Sequence, residues 1–519
     1  MDQMAVHENK LSSDVKNAVS PLYSSRTAFL LIAGGALLRI ISICCSDNAG
    51  GDAGAHVGLA AEWLKHPELK LVFDTYPPGH FWLIGLSWLV VRNVLWAGRL
   101  LSLACGIGSL FFVWNLSRRL WGNTAAVFSL TAFALYSLHI GYSGTSSAEV
   151  PYMFFLLVAV SLFFDAVAEE RIHLGKMALS GISFSIAESI RYEAWIFFAS
   201  LVAAEACVWL YCRHHRLSTS SGSFAAWIVT AGAWPALMMT YCWKVFGDPM
   251  YLVTWNHLRV VHSLASTPRS HQLLVMPVAL ILSISPFVTL AAIAGITVSL
   301  RRTLPSVFTI ATLLFALIEG YELVTGGLLA TARYTMTLGT LLCVISGCSF
   351  EWIIAKFIPF RPKLAYGVVV ALLGLNCVVI VVTAASSSRF ADSIASISPW
   401  LRYQPHIAEV GRYLRTHLRP ADAVVFDDYN SESNILSDAA GLPPAPGLRA
   451  FVAGKRNSMT ALTYIDQQRP RFLVFSDRGT LRTTLGIGPG CRDTQRIDKA
   501  ELQCVFAGQV YRIFEFSYP

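Results

Sequence analysis

Asp52 is the residue of this chain best suited by type and setting to move a proton. It follows Gly50-Gly51 in a polar segment, residues 47–80, that interrupts long apolar runs. A carboxylate pinned between membrane helices is costly to keep unless it is used. The neighbouring bland role is helix N-capping, which Asp performs well, ahead of an amphipathic stretch through His56, Ala60 and Trp63. The segment closes on Tyr76-Pro77-Pro78-Gly79-His80. Two prolines set the chain direction and Gly79 admits close backbone approach, so His80 is held in place as an acid, a phosphate donor or an interfacial aromatic. Tyr76 joins it as a site candidate. Asp47, nearer the end of the first apolar run, reads as an interfacial polar residue.

A second set of residues has the chemistry of phosphate recognition. Arg191 and Glu193 flank Tyr192 where two apolar runs meet with almost no loop. An ion pair that stabilises the turn is one reading. Capture of a lipid phosphate is the other, since the planar guanidinium matches phosphate oxygens. Arg333-Tyr334 at the start of a later run, and His257 with Arg259 in Asn256-His257-Leu258-Arg259, offer the same chemistry. Of the three arginines, one is expected only to snorkel. Glu149 opens a run in Ser146-Ser147-Ala148-Glu149-Val150-Pro151, where the helix dipole favours an acid and where a functional carboxylate could equally stand. Arg39, inside the first run, faces protein or snorkels outward.

The elements that carry these groups follow from hydropathy. The 519 residues are 54% hydrophobic and 14% charged, with mean hydropathy +0.52. That composition defines a polytopic α-helical membrane protein. Apolar runs near 27–46, 98–117, 123–142, 150–168, 175–190, 194–212, 224–246, 273–299, 305–321, 334–355 and 364–384 predict about eleven spans. The first is long for a signal peptide core and lacks a small-residue cleavage site, so it is read as retained. Residues 80–91 are too short to cross and are read as re-entrant or interfacial. With that assignment the N-terminal tail and the basic clusters Arg118/Arg119, Arg171/Lys176, Arg213/Arg216, Arg301/Arg302 and Lys356/Arg361/Lys363 share one side, the cytoplasm. Every site candidate then collects on the opposite face. The net charge of +8 reflects these loops rather than a nucleic-acid partner.

The chain divides by composition into a cytoplasmic tail (1–25), a membrane module (26–385) and an extracytoplasmic soluble domain (386–519). In the last, residues 406–418 and 457–467 have helical periodicity, while 423–426, 471–475 and 505–516 read as strands. A small α/β domain is predicted, without the glycine-rich loop of a nucleotide site. Among the 11 cysteines, Cys491 and Cys504 both fall in this tail and can pair if it lies outside the cytoplasm; no spacing matches a zinc or redox motif.

Asp52 in the first external loop, Pro77-Pro78-Gly79-His80, Ser147-Ala148-Glu149 and Ala332-Arg333-Tyr334 together resemble, in order and sidedness, the GT-C superfamily of polyprenyl-phosphate-sugar-dependent glycosyltransferases. The branch is that of protein O-mannosyltransferases, lipid A aminoarabinose transferases and lipopolysaccharide-core galacturonosyltransferases, and the likeness covers roughly residues 25–355. The resemblance implies an acceptor-activating role for Asp52, a second acid at Glu149 and donor-phosphate contact by Arg333-Tyr334. Lipid A transferases typically place Glu-Lys before Pro-Pro, where this chain has Thr75-Tyr76. No metal ligand is therefore assigned, and a divalent metal is left open. The expected reaction moves a sugar from a polyprenyl-phosphate donor to an acceptor hydroxyl of a glycan, lipid or protein, with inversion. It takes place at the outer face of a cell (inner) membrane, N-terminus cytoplasmic. A transporter or flippase of lipid-linked sugars is the alternative, against which stand the clustering of acids at one surface and the lack of internal repeats. A non-catalytic assembly subunit is the other.

Overall fold

The computed structural model describes residues 25–50, 52–69, 71–72, 76–168, 173–212, 221–264, 269–328, 331–357, 374–375, 378, 382, 397–419, 422–427, 433–442, 458–476, 479–488, 494–497 and 500–519. The chain divides into two compact units. One takes Met1–Ser46, Lys70–Leu83 and Arg99–Leu401; the other takes Asp47–Leu69, Ile84–Gly98 and Arg402–Pro519.

In chain order the helices are α1 (Ser25–Cys45), α2 (Ala53–Lys65), α3 (Gly79–Val91), α4 (Val94–Trp121), α5 (Asn123–Ala134), α6 (Ser137–Tyr142), α7 (Glu149–Ala168), α8 (Leu174–Ile190) and α9 (Glu193–Cys212). They continue as α10 (Ser221–Phe246), α11 (Tyr251–Leu264), α12 (Arg269–Ile284), α13 (Pro286–Ser299), α14 (Thr303–Thr325) and α15 (Met336–Phe357), the last led in by a 3-10 turn, Ala332–Thr335. In α1, α4, α7, α9 and α15 the apolar side chains are spread around the helix rather than confined to a stripe, as lipid on one side and protein on the other both demand. Six helices among the described residues are long and apolar enough to cross a bilayer, or seven if a bent pair counts as one span. The predicted run 364–384 lies largely outside the described residues. The run 273–299 is not a straight helix: α12 and α13 meet at 98°. Ser285 has a positive φ of 78° and its hydroxyl accepts the Val288 N–H, while Pro286 opens α13 without an amide to donate. The break is thus an N-cap built into an apolar run, which hydropathy alone averages over. Helix α3 has 13 residues, as short as expected for a non-crossing segment.

Arg39 faces protein. It is fully buried, donating to the Gly35 carbonyl (2.9 Å) and meeting His139 Nδ1 at 3.0 Å. Such partners make an intramembrane cation tolerable.

The second unit holds α16 (Pro405–His417), β1 (Val424–Phe426), α17 (Ser433–Ala439), α18 (Ser458–Gln468), β2 (Phe472–Ser476), α19 (Thr480–Thr484), β3 (Gln495–Ile497), β4 (Ala500–Ala507) and β5 (Tyr511–Ser517). The five strands form one sheet in the order β1-β2-β5-β4-β3, parallel between β1 and β2 and antiparallel elsewhere. Alternation fills both faces. Phe472, Val474, Tyr511 and Ile513 pack with Ile407, Val410 and Leu414 of α16, whereas Leu473, Phe475, Phe514 and Phe516 pack with Ile465 of α18. Gly411 is required where α16 meets α17, because a Cβ there would stand 2.5 Å from the Ala439 carbonyl oxygen. Cys504 is disulfide-bonded, and Cys491 lies outside the described residues. Helix α2 belongs to this unit. It packs against α17, and its Trp63 ring fills the space beside Gly85, where a Cβ would come within 2.3 Å.

Candidate active site

Four helix ends of the first unit bring ionised side chains to one place. Glu149 lies in the first turn of α7. Arg191 occupies the corner after α8 in extended conformation (φ −148°, ψ 145°), and Glu193 opens α9. Arg333 and Tyr334 sit in the 3-10 turn before α15. A two-residue corner is short enough to force α8 and α9 to reverse sharply, which presents Arg191 and Glu193 side by side.

Arg191 is the hub. Its Nε donates to both Glu193 oxygens (3.0 and 3.1 Å), Nη2 donates to Glu193 Oε1 (2.5 Å), and Nη1 donates to Glu149 Oε1 (2.7 Å). Arg333 Nη1 approaches the same Glu149 oxygen at 3.5 Å. Both guanidinium carbons stand over the Tyr334 ring, at 5.3 Å for Arg191 and 5.1 Å for Arg333. Side-chain exposure is 14% for Arg191, 10% for Arg333 and 4% for Glu149, so these charges interact in little water. Glu149 Oε2 has no hydrogen-bond partner among the described residues. One turn beyond Glu149, Tyr152 accepts a hydrogen bond from Thr337 (3.3 Å) and ties α7 to α15.

The Arg191–Glu193 ion pair of the turn is therefore real, and it engages Glu149 as well. Most of the Arg191 fork is taken by carboxylates. Arg333, with its longer contact to Glu149, has the looser tie to the cluster of the two.

Sequence reasoning missed Glu319. It is buried in α14, with Oε1 unpartnered among the described residues, and lies within electrostatic range of Glu193 and Arg191. The available signal was an acid inside an apolar helix, which by default marks a functional position.

The Pro-Pro turn is held close to this corner. A Cβ on Gly79 would come within 2.1 Å of Ser189 Oγ and 2.7 Å of the Ser189 carbonyl oxygen, two residues before Arg191. His80 is buried, and Tyr76 packs edge-on to Phe81 at 6.2 Å. Gly79→Ala is expected to cost about 1–3 kcal/mol through overpacking against backbone. Gly34→Ala, where nothing lies within 4 Å, serves as the neutral control in the same detergent-melting measurement.

Other candidates are placed elsewhere. His257 Nδ1 pairs with Glu322 at 3.4 Å rather than with the arginine cluster. Arg259 falls in α11, but its side chain lies outside the described residues. Asp52 belongs to the second unit, at the N-cap position of α2, half-buried, and its carboxylate makes no capping hydrogen bond. Among the described residues no three His, Cys, Asp or Glu side chains are grouped to hold a metal ion.

Beside Gly79 runs a groove of about 410 Å³ lined by Trp82, Ile182, Ile186, Ala233 and Trp234 with Ser185, Ser189 and Thr230. The three hydroxyls donate to backbone carbonyls of their own or the adjoining helix, at 2.6–2.7 Å. The groove therefore offers its occupant an apolar lining despite its polar residues.

Comparison with known proteins agrees with this architecture. Residues 75–243 match the profile of the family described as dolichyl-phosphate-mannose-protein mannosyltransferase. Two solved structures share the fold. One is ArnT from Cupriavidus metallidurans bound to undecaprenyl phosphate (TM-score 0.59, 12% identity, 95% of this chain and 98% of that one). The other is the oligosaccharyltransferase AglB from Archaeoglobus fulgidus with an inhibitory peptide and a dolichol-phosphate (TM-score 0.53, 11% identity, 87% and 69%). No curated protein sequence matches significantly. The family profile covers about a third of this chain, and the two structures are similar to it in fold at 11–12% identity.

Proposed function

We propose that this protein transfers a sugar from a polyprenyl-phosphate donor to an acceptor hydroxyl at the extracytoplasmic face of the membrane, with inversion. The observation that carries the reading is the buried meeting of Glu149, Arg191, Glu193, Arg333 and Tyr334 at four helix ends. Fixed donors in a water-poor site stabilise charge as it develops on a leaving phosphate. Asp52 takes the acceptor hydroxyl proton while that oxygen forms its bond to the anomeric carbon. The bond from that carbon to the phosphate oxygen breaks, and the phosphate dianion is left against Arg333, supported by Arg191. Glu149, with one oxygen unpartnered among the described residues, orients the acceptor. The apolar groove beside Gly79 holds the first isoprene units of the donor.

Several features support the sidedness. The basic clusters share one side in the predicted topology, and a disulfide-bonded Cys504 suits an oxidising compartment for the C-terminal domain. The module boundaries 26–385 and 386–519 and about eleven spans complete the proposal.

The test is a vesicle assay with a panel of radiolabelled polyprenyl-phosphate sugars. Transfer releases polyprenyl phosphate and moves label to an acceptor. Label crossing the bilayer with the sugar still on its lipid would instead identify a transporter and end this reading.

A further inference from the structure

The helix that carries Asp52 is gripped by the C-terminal domain. Asp47, five residues earlier, accepts the backbone N–H of Tyr403 through Oδ2 at 3.0 Å. Its Oδ1 faces Arg402 Nη1 at 3.7 Å, an ion pair whose arginine is 65% exposed. The Tyr403 hydroxyl donates to Asp438 Oδ2 in α17 at 2.8 Å, and α17 itself packs against α2. Residues 402–403 are thus held between a carboxylate at the entry to the loop and a carboxylate on the helix that supports its exit. Both belong to the second unit, as does α2. Burial, with Asp438 and Asp47 adding to it, pushes the Tyr403 phenol far above its ordinary range, so it stays a donor at every working pH. Gly411 lets α16 lie against Ala439 and so fixes the base of the same support.

We infer that Asp47 is a positioning residue, which fixes the Asp52 loop to the C-terminal domain through the Tyr403 backbone amide, so that this domain acts as the holder of the base. The inference rests on the proposed role of Asp52 for its effect on turnover, but not for the tether itself. It separates two contacts that look alike in a contact map. The bond to a backbone amide is neutral on the donor side and fixed in place, so an amide oxygen can replace the carboxylate. The exposed ion pair to Arg402 contributes little.

The pattern across variants follows. In Asp47→Ala the amides of residues 53–65 should exchange with deuterium about tenfold faster, the loss of one well-placed bond, while β2 and β5 keep their protection. Transfer of labelled sugar from undecaprenyl-phosphate mannose should show kcat about tenfold lower with donor KM unchanged. Asp47→Asn should restore both readouts, and Arg402→Ala should leave both unchanged. Unaltered exchange at 53–65 in Asp47→Ala would overturn the tether, as would damage from Asp47→Asn equal to that from Asp47→Ala. Loosened exchange with full turnover would overturn the positioning role. Asp52→Asn, measured alongside, separates the causes. If that variant is inactive, positioning has failed; if it is active, the base assignment has.

Discussion

Asp52→Asn is expected to lower sugar transfer by about 10²–10⁴-fold while leaving donor binding intact, the usual contribution of a positioned general base. The amide keeps the size and one acceptor oxygen of the carboxylate but cannot take a proton. Helix α2 should be undisturbed, because the native carboxylate makes no capping hydrogen bond for the substitution to remove. That combination makes the result interpretable. A capping residue would give a loss of stability with proportionate loss of activity, whereas a base gives a loss of kcat on an equally stable protein. The measurement is single-turnover transfer together with thermal melting in the same detergent. Transfer within twofold of the native rate would remove Asp52 from the chemistry.

The second large effect distinguishes the two arginines. Arg191→Ala strands Glu193 and Glu149, both of which it bonds, in a site where their side chains are 15% and 4% exposed. Removing one partner of a buried pair costs roughly 3–5 kcal/mol, so this variant should fail to accumulate or melt far below the native protein. Arg333→Ala removes the contact to the Tyr334 ring and a 3.5 Å contact to a Glu149 oxygen that Arg191 still holds at 2.7 Å. It should therefore fold normally and lose donor affinity, with KM for the lipid-linked sugar raised on the order of ten- to a hundredfold, as expected for a charge-assisted phosphate contact. Equal melting temperatures for the two variants would contradict the hub role of Arg191. Normal donor KM in Arg333→Ala would move phosphate recognition to other groups.

Much of the architecture can be read from composition and periodicity. The terminal strands, the helices at 405–417 and 458–468, and the short α3 all follow from local pattern. The break at Ser285-Pro286 was visible as a residue pair but was averaged away in a hydropathy window. The candidate site was legible in part. Glu149, Arg191, Glu193, Arg333 and Tyr334 stand out because ionisable groups at the ends of apolar runs are rare and costly. Glu319 carried the same signal yet was passed over, since it lies near the polar end of its run. His257 meets Glu322, which lies 65 positions away in the sequence, a pairing that its own motif does not disclose.

The sequence alone determined that this is a helical membrane protein with ionisable side chains at run ends, because lipid leaves no other way to satisfy the backbone and penalises every stray charge. Only the tertiary structure decided which charges meet. Arg191 could have bound Glu193 alone, but the convergence of α7, α9 and the turn before α15 adds Glu149 and brings the Tyr334 ring within 5.3 and 5.1 Å of two cations. Tertiary structure likewise placed Asp47 against the backbone of Tyr403, 356 residues later. No local pattern encodes such a contact. It depends on the relative positions of elements, which are set by the whole core rather than by any one segment.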